Sequence, residues 1–291
     1  MPSPLLDFAG AFLLQLLGNV GAKESATPPV VDTAACPDDE VEVEGDYCPR
    51  EEQTCLWVVD RKTYAQCGEF LPTGVCEEPT KHRHFCMDRY EWPNKKGTKP
   101  MVYVSWMQGR DFCSVQGKRL CTDSEWTLAC EGQERLPYPY GYFRNKEACN
   151  IDKPILGPDE GLLSGLDTRV KEVARLWQGE ASGAREACVS PYGVHDLTGN
   201  VDEWVVNESK NPYQSALKGG YWGPVRTRCR PMTDGHHELF QYYQIGFRCC
   251  GDVPGVASDA PPNARTPAPG SAEAIAESKE PSTALPPILL P

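Results

Sequence analysis

The sequence lacks the marks of several common functional classes. Its N-terminal apolar stretch, Phe8 to Leu17, is far shorter than the run of about 20 residues that a membrane-spanning helix needs. No long basic run is present, and 29 basic against 41 acidic side chains give a net charge of −12, so we do not expect a nucleic acid as partner. The nucleophile elbow G-x-S-x-G and the P-loop are also absent. The sequence therefore predicts neither a transmembrane span, nor nucleic-acid binding, nor these two enzyme classes.

The N-terminal segment has part of the pattern of a secretory signal peptide. The apolar stretch is followed by the small residues Val20-Gly-Ala22, which suit signal-peptidase cleavage. Asp7 and the absence of Lys or Arg before the stretch depart from that pattern, and an amphipathic helix is the alternative. We expect a signal peptide over residues 1–22 and a linker over residues 23–46, which are rich in Pro, Ala and acidic residues.

Cysteine is abundant, with 14 residues in a chain of 291. An even number permits complete pairing in an oxidising compartment. Six of these cysteines lie between Cys36 and Cys86, and none forms the C-x-x-C pair that a zinc knuckle needs. We therefore predict a Cys-rich leader over residues 47–84, a disulfide framework, and an extracytoplasmic location that is periplasmic, cell-surface or secreted.

Two helices are predicted in the ordered core. Ser105 and Thr122 each stand three residues before a Gln or a Glu, which is the signature of a capping box. Helical spacing places one tryptophan and one cysteine on the inner face of each helix, namely Trp106 with Cys113 and Trp126 with Cys130. Elsewhere the signals are short strands and long loops, which favours an α+β fold. Residues 252–291, dominated by Pro, Ala, Ser and Glu, are expected to form a disordered tail.

A series of motifs resembles, in order, the formylglycine-generating enzyme (sulfatase-modifying factor) family. The motifs are Phe85-Cys-Met-Asp-Arg-Tyr-Glu91, Val104-Ser-Trp106, Gly117-Lys-Arg-Leu120 with Thr122-Asp-Ser-Glu-Trp126, Gly193-Val-His-Asp-Leu-Thr-Gly-Asn-Val-Asp-Glu-Trp204, Lys218-Gly-Gly-Tyr221 and Gly246-Phe-Arg-Cys249. The resemblance assigns an FGE-sulfatase domain to residues 85–251. It implies the family's loop-rich, disulfide-stapled variant of the C-type-lectin-like fold.

The resemblance also implies particular disulfides. Cys113 with Cys249, and Cys130 with Cys229, match cysteines that members of the family can join. The alternative is buried free thiols. The pairing of the other cysteines of the domain stays open: Cys121, Cys149, Cys188 and Cys250.

The family's copper chemistry is not expected in this chain. The best-known members oxidise a substrate cysteine to formylglycine with copper held by two thiolates, which suit soft Cu(I). In those enzymes both sulfurs lie between the Gly-Gly motif and the cysteine matched here by Cys229. This segment, residues 219–229, reads GGYWGPVRTRC and has no other cysteine. The alternative is an active metal-dependent oxidoreductase. A non-haem iron site requires two histidines and a carboxylate, and no spacing in the sequence brings such a set together. The five histidines are His82, His84, His195, His236 and His237.

Calcium is the cofactor that the resemblance implies. Asn200, Val201 (through its carbonyl) and Glu203 match one calcium site of the family, and Asn150 with Ile151 match part of another. Oxygen ligands of this kind suit calcium. The alternative is a Gly-Asn turn that leads to a buried tryptophan.

Aromatic and basic residues after the Gly-Gly motif are candidates for a ligand groove: Tyr221, Trp222, Arg226 and Arg228. Such a groove would bind a peptide, a protein or a small acidic ligand. The alternative is that the aromatic rings fill the core while the arginines reach the surface. The sequence thus favours a recognition module with structural calcium, ahead of an oxidoreductase or a purely structural envelope protein.

Overall fold

The computed structural model describes residues 35–59, 66–258, 260, 264 and 285–290. Their helices and strands follow in this order: β1 (Glu40–Tyr47), β2 (Glu51–Glu52), β3 (Cys55–Val58), β4 (Cys67–Phe70), β5 (Val75–Cys76), β6 (Lys81–Asp88), α1 (Trp106–Val115), β7 (Arg119–Leu120), α2 (Asp123–Glu131), α3 (Glu160–Ser164), α4 (Arg169–Leu176), β8 (Asp202–Val206), β9 (Ser215–Lys218), β10 (Met232–Thr233), β11 (Ile245–Phe247) and β12 (Cys249–Asp252). The expected signal peptide lies outside the described residues. Among those described, no helix has the length and apolar character needed to cross a bilayer.

Two four-stranded sheets organise this part of the chain. The first has the strand order β1-β6-β12-β7 and is antiparallel. The second has the order β10-β9-β8-β11, in which only β8 and β11 run parallel. Strand β1 begins at Glu40, inside the region expected to be a linker, because Val41 and Val43 alternate with acidic residues and are buried. Its pairing with β6 joins the end of the expected linker, the Cys-rich leader and the FGE-sulfatase domain in one sheet.

Helices α1 and α2 begin at the predicted capping boxes, which confirms this part of the sequence analysis. Ser105 Oγ accepts from Gln108 N at 3.2 Å, and Gln108 Oε1 accepts from Ser105 N at 3.0 Å. The same reciprocal pair joins Thr122 and Glu125. The tryptophan and the cysteine expected on each inner face are buried. Each cap stabilises its helix by about 1 kcal/mol.

Seven disulfides take up all 14 cysteines. Cys113 is joined to Cys249 and Cys130 to Cys229, the two pairs that the family resemblance implies. The pairs that the sequence left open are Cys36–Cys86, Cys48–Cys76, Cys55–Cys67, Cys121–Cys250 and Cys149–Cys188. Two long-range bridges tie α1 and the residue after β7 to β12, and a third ties α2 to the loop after β9. These bridges compensate for the shortness of most strands.

The tail differs from the expected disorder at residues 285–290. This stretch lies against the domain, and Ile288 pairs with Val102 in an antiparallel bridge. Ile288 and Leu290 are buried in a cluster that includes Trp222 and Tyr243. Isolated apolar residues in a Pro-rich stretch suffice for such docking because a preformed surface supplies the rest of the cluster. Disorder of residues 265–284 stays a prediction, since they lie outside the described part of the chain.

Candidate ligand site

The loop that follows β9 carries all four candidate groove residues. It begins with Gly219 and Gly220, whose φ values of 84° and 72° lie in the left-handed region that favours glycine. A Cβ on Gly219 would come within 2.6 Å of the carbonyl oxygen of Leu197. Gly220 N donates to Asp202 Oδ1 at 3.2 Å and anchors the turn on β8. The Gly-Gly motif is therefore needed for the close approach of this loop to its neighbours.

Trp222 does not line an open groove as the sequence analysis expected. Its side chain is 1% exposed and lies in a buried aromatic cluster. The ring centroids of Trp177, Tyr221 and Tyr243 lie 5.0, 5.6 and 6.0 Å from that of Trp222. The large apolar surface of these rings makes burial more favourable than exposure, so the alternative of a core role applies to Trp222.

The two arginines instead lie at a separate cavity of about 220 Å³. Its lining residues are Gln66, Cys67, Tyr138, Arg144, Val225, Arg226, Arg228 and Pro231. Tyr221 and Trp222 are not among them. The structure thus brings the two arginines of the predicted groove together at one cavity, whereas the two aromatic residues lie elsewhere. It adds Arg144, which the sequence analysis did not single out.

The arginines of this cavity differ in their counter-charges. Arg144 donates to both carboxylate oxygens of Asp152 at 2.9 and 2.7 Å, and Arg226 forms an ion pair with Asp202 at 3.1 Å. Arg228 forms no ion pair among the described residues. We call the cavity lined by these three side chains the arginine cavity. The charges of Arg144 and Arg226 are compensated by carboxylates within the described part of the chain, and the charge of Arg228 is not.

Arg228 is held by weak contacts only. Its Nη1 lies 3.5 Å from Gln53 Oε1, and its guanidinium carbon lies 5.0 Å from the ring centroid of Phe70. Burial lowers the pKa of the Arg228 guanidinium, and the positive charge of Arg144 lowers it further. A half-buried cation with no counter-charge is stabilised when an anion binds beside it. The cavity is therefore suited to a carboxylate or a phosphate group.

The residues predicted to bind calcium come together in part. Asn200 N donates to the Asn150 carbonyl at 3.0 Å, and a Cβ on Gly199 would come within 2.4 Å of the same oxygen. Asn200 Oδ1 accepts from Asn150 Nδ2 and Glu180 N at 3.2 and 2.8 Å, and Asn200 Nδ2 donates to the carboxylate of Glu91. Asn150 Oδ1 is buried with no hydrogen-bond partner among the described residues. Of the two amide oxygens, only that of Asn150 is thus available to a cation.

Glu203 does not fit the role of a calcium ligand in this arrangement. Arg248 donates to both of its carboxylate oxygens at 2.7 and 2.6 Å, and Trp126 Nε1 donates at 2.8 Å. The side chains of Arg248 and Glu203 are 0% and 1% exposed. Val201, expected to act through its main-chain carbonyl, and Ile151, matched to part of the second site, both have buried side chains. A bidentate buried ion pair thus occupies the carboxylate that the resemblance assigned to calcium.

The histidines do not converge on one metal site. His82 lies beside Asp46 at 3.3 Å, whereas His195 and His236 stack on the rings of Tyr90 and Phe240. In the described part of the chain, one group of three potential metal ligands lies on the β1–β6 ribbon: Glu42, Glu44 and His84. It has one imidazole rather than two, so it does not match a non-haem iron site.

Sequence reasoning missed a buried lysine at the end of β9. Lys218 Nζ donates to Thr127 Oγ1 at 2.7 Å and to the Arg230 carbonyl at 3.0 Å, in a cavity of about 400 Å³. Burial lowers the pKa of Lys218 to about 8, while burial raises that of Asp123 to about 6. All four residues of β9 are buried, so alternation along the strand gave no local signal that Lys218 is enclosed.

Comparisons with known proteins agree with the motif series. A family model described as "Sulfatase-modifying factor enzyme 1-like domain" matches residues 57–253, more than half of the chain. The chain is 31% identical over 186 residues to "Inactive C-alpha-formylglycine-generating enzyme 2" of Bos taurus, covering 54% of this chain and 52% of that protein. It is 26% identical over 178 residues to "Formylglycine-generating enzyme" of Mus musculus, covering 53% of this chain and 39% of that protein.

Among solved structures, the chain is similar to CarF, with 19% identity, a TM-score of 0.45, and coverage of 75% of this chain and 99% of that one. The match spans about half or less of the length of the two named relatives. With the motif series, the α+β architecture and the family match in agreement, this chain belongs to the sulfatase-modifying factor (formylglycine-generating enzyme) family and has its variant of the C-type-lectin-like fold.

Proposed function

We propose that this chain is a non-catalytic recognition domain that binds an acidic ligand in the arginine cavity. The observation that carries the proposal is the uncompensated charge of Arg228 beside a cavity of about 220 Å³. Arg144 and Arg226 add positive potential but are already paired with carboxylates. A guanidinium offers two parallel N–H groups, which match the geometry of a carboxylate or a phosphate. A ligand that carries one such group would provide the missing counter-charge.

The state of the cysteines supports recognition rather than copper oxidation. A soft copper site needs thiolates, and each of the 14 cysteines of this chain lies in a disulfide. A relative with 31% identity bears the word "inactive" in its name, which agrees with a family member that has lost the reaction. Export is part of the proposal, because seven disulfides form and persist in an oxidising compartment.

We further propose that this domain binds structural calcium beside Asn150. Its support is the orphaned Asn150 Oδ1, a hard oxygen in a buried position. The carbonyls of Ile151 and Val201 would complete such a site beside it, whereas Asn200 Oδ1 and Glu203 have partners within the protein.

The test is calorimetric titration of the full chain with two probes, N-acetyl-aspartate and inorganic phosphate. We expect one of them to bind wild type, and Arg228→Met to weaken that binding at least about tenfold, because a hydrogen bond to a charged group contributes about 1.5–3 kcal/mol. Arg175→Met is the matched control, since Arg175 is paired with Glu172, is half exposed and does not line the cavity. We expect it to bind as wild type does.

Stability measurements provide a second readout. Arg228→Met removes a half-buried charge that has no acidic partner among the described residues, so the unliganded variant should be at least as stable as wild type. Failure of wild type to bind either probe, or equal affinity of wild type and Arg228→Met, would refute the assignment of this cavity.

A further inference from the structure

The C-terminal residues 285–290, here called the tail segment, lie extended on the domain. Val102 N donates to the Ile288 carbonyl at 2.9 Å, and Ile288 N donates to the Val102 carbonyl at 2.7 Å. This reciprocal pair adds one strand-like contact to the edge of the domain. Val102 is fully buried, and these two main-chain groups have no other partner among the described residues. In this arrangement the extended segment satisfies the main-chain N–H and carbonyl groups of Val102.

A pair of glutamines fixes the start of the tail segment. Gln241 accepts from Leu285 N through Oε1 at 2.7 Å and donates to the Leu285 carbonyl through Nε2 at 2.7 Å. Gln108 Nε2 donates to the same carbonyl at 2.9 Å. Gln108 is the capping-box residue of α1, so the helix start already holds its amide group. Both main-chain groups of Leu285 are thereby bound by side chains that the fold positions in advance.

The sequence of the tail segment matches this contact pattern. Pro286 and Pro287 have no N–H group, and the hydrogen-bonded residues are those that flank them. Their restricted φ angles keep the free segment close to an extended conformation, which reduces the entropy lost on docking. Ile288 and Leu290 are 5% and 6% exposed, whereas Leu289 is 56% exposed. One face of the segment thus supplies apolar anchors and the other faces solvent.

The surface that contacts the tail segment is formed by residues that precede it in the sequence. We define the tail groove by the following residues: Val102, Tyr103, Gln108, Trp222, Gln241 and Tyr243. All of them belong to the FGE-sulfatase domain, and the aromatic residues belong to the same buried cluster as Ile288 and Leu290. The groove combines main-chain pairing, a glutamine clamp and aromatic packing, as peptide-binding grooves do.

We propose that the tail groove is a binding site for extended apolar segments of the Leu-Pro-Pro-Ile type, and that the chain's own tail segment occupies it as a tethered, displaceable ligand. The tail segment competes with any partner segment of the same chemistry. This site is separate from the arginine cavity, with which it shares no lining residue.

The covalent tether determines how strongly the tail segment competes with a free peptide for the tail groove. A tethered ligand acts at an effective concentration on the order of 1 mM. For an intrinsic dissociation constant of about 100 μM, the tail segment would be docked about ten times as often as undocked. Occupancy by the tail segment then weakens binding of the same peptide in trans about tenfold.

The test measures binding of a fluorescent, amidated peptide of residues 282–291 to the full chain. Ile288→Asp removes a buried anchor of the tail segment, and Leu289→Asp is the matched control because it puts the same charge at the exposed neighbouring position. We expect Ile288→Asp to bind the peptide about tenfold more tightly than wild type and Leu289→Asp. A peptide with the same Ile→Asp change should bind none of the three proteins.

Equal peptide affinity of wild type and a folded Ile288→Asp variant would overturn the proposal. If the variant does not fold, amide hydrogen exchange on wild type provides the test. The Ile288 amide should be protected from exchange. Exchange at the rate of an unstructured peptide would also overturn the proposal. The peptide has no acidic residue, so Arg228→Met should not change its binding. A failure at the arginine cavity is thereby distinguished from a failure at the tail groove.

Discussion

Replacing Glu203 by Gln tests whether this carboxylate belongs to a buried ion pair or to a calcium site. In the structure, Glu203 accepts two hydrogen bonds from Arg248 and one from Trp126, and both charged side chains are at most 1% exposed. Glu203→Gln keeps the shape but places an amide N–H₂ against the guanidinium, so Arg248 loses the one carboxylate that it binds directly among the described residues. Breaking a buried pair in this way costs about 3–5 kcal/mol of the free energy of unfolding.

The assay is urea unfolding of the oxidised protein, with saturating calcium and with EDTA. We expect the same loss in both conditions, because the partner of Glu203 is Arg248. Glu180→Gln is the control: Glu180 pairs with Arg185, the two side chains are 30% and 20% exposed, and the expected loss is at most about 1 kcal/mol. The double variant Glu203→Gln with Arg248→Met should lose less than the sum of the single losses, since it removes both charges of the pair together. A loss that appears only with calcium would refute the ion-pair reasoning and restore Glu203 as a ligand.

Three further predictions concern stability. Thr122→Ala removes the buried cap of α2 and should lower the free energy of unfolding by about 1 kcal/mol in denaturant titration, whereas Thr122→Ser should be close to wild type. Replacing Cys113 and Cys249 together by Ser opens a loop of 136 residues and should cost about 2–5 kcal/mol; a loss below about 1 kcal/mol would show that this bridge does not constrain the unfolded chain. The folded-state pKa of Lys218, about 8, lies below its ordinary value of 10.5. The unfolded chain therefore binds more protons above that pH, and stability should rise by about 2 kcal/mol between about pH 8 and 9.5 relative to Lys218→Met. A flat difference between the two pH curves would contradict this placement of Lys218.

The sequence carried much of the information about the scaffold. The two capping boxes are local patterns of four residues, so their helices could be predicted without knowledge of the fold. The ordered motifs of the family added the bridges Cys113–Cys249 and Cys130–Cys229. The bridges of the leader could not be predicted, because six or more cysteines allow many pairings and only the sheet brings Cys36 beside Cys86.

The candidate site was less predictable because charge compensation joins residues far apart in the sequence. Arg226 and Arg228 are both arginines of one loop, yet only Arg226 meets a carboxylate, that of Asp202 on β8. Glu203 has the residue type of a calcium ligand, but Arg248, 45 positions away, takes both of its oxygens. Neither difference has a signal in the local sequence.

By itself, the sequence determined the family, the fold class, the helix starts and the absence of a cysteine pair for copper in the loop after β9. Those features depend on neighbouring residues or on motifs whose order is visible along the chain. Only the tertiary structure decided which arginine lacks a counter-charge, that Trp222 is buried, that Lys218 lies in a cavity, and that the tail segment docks against Val102. Burial and pairing are properties of three-dimensional neighbours, and the packing of the two sheets and seven disulfides selects those neighbours.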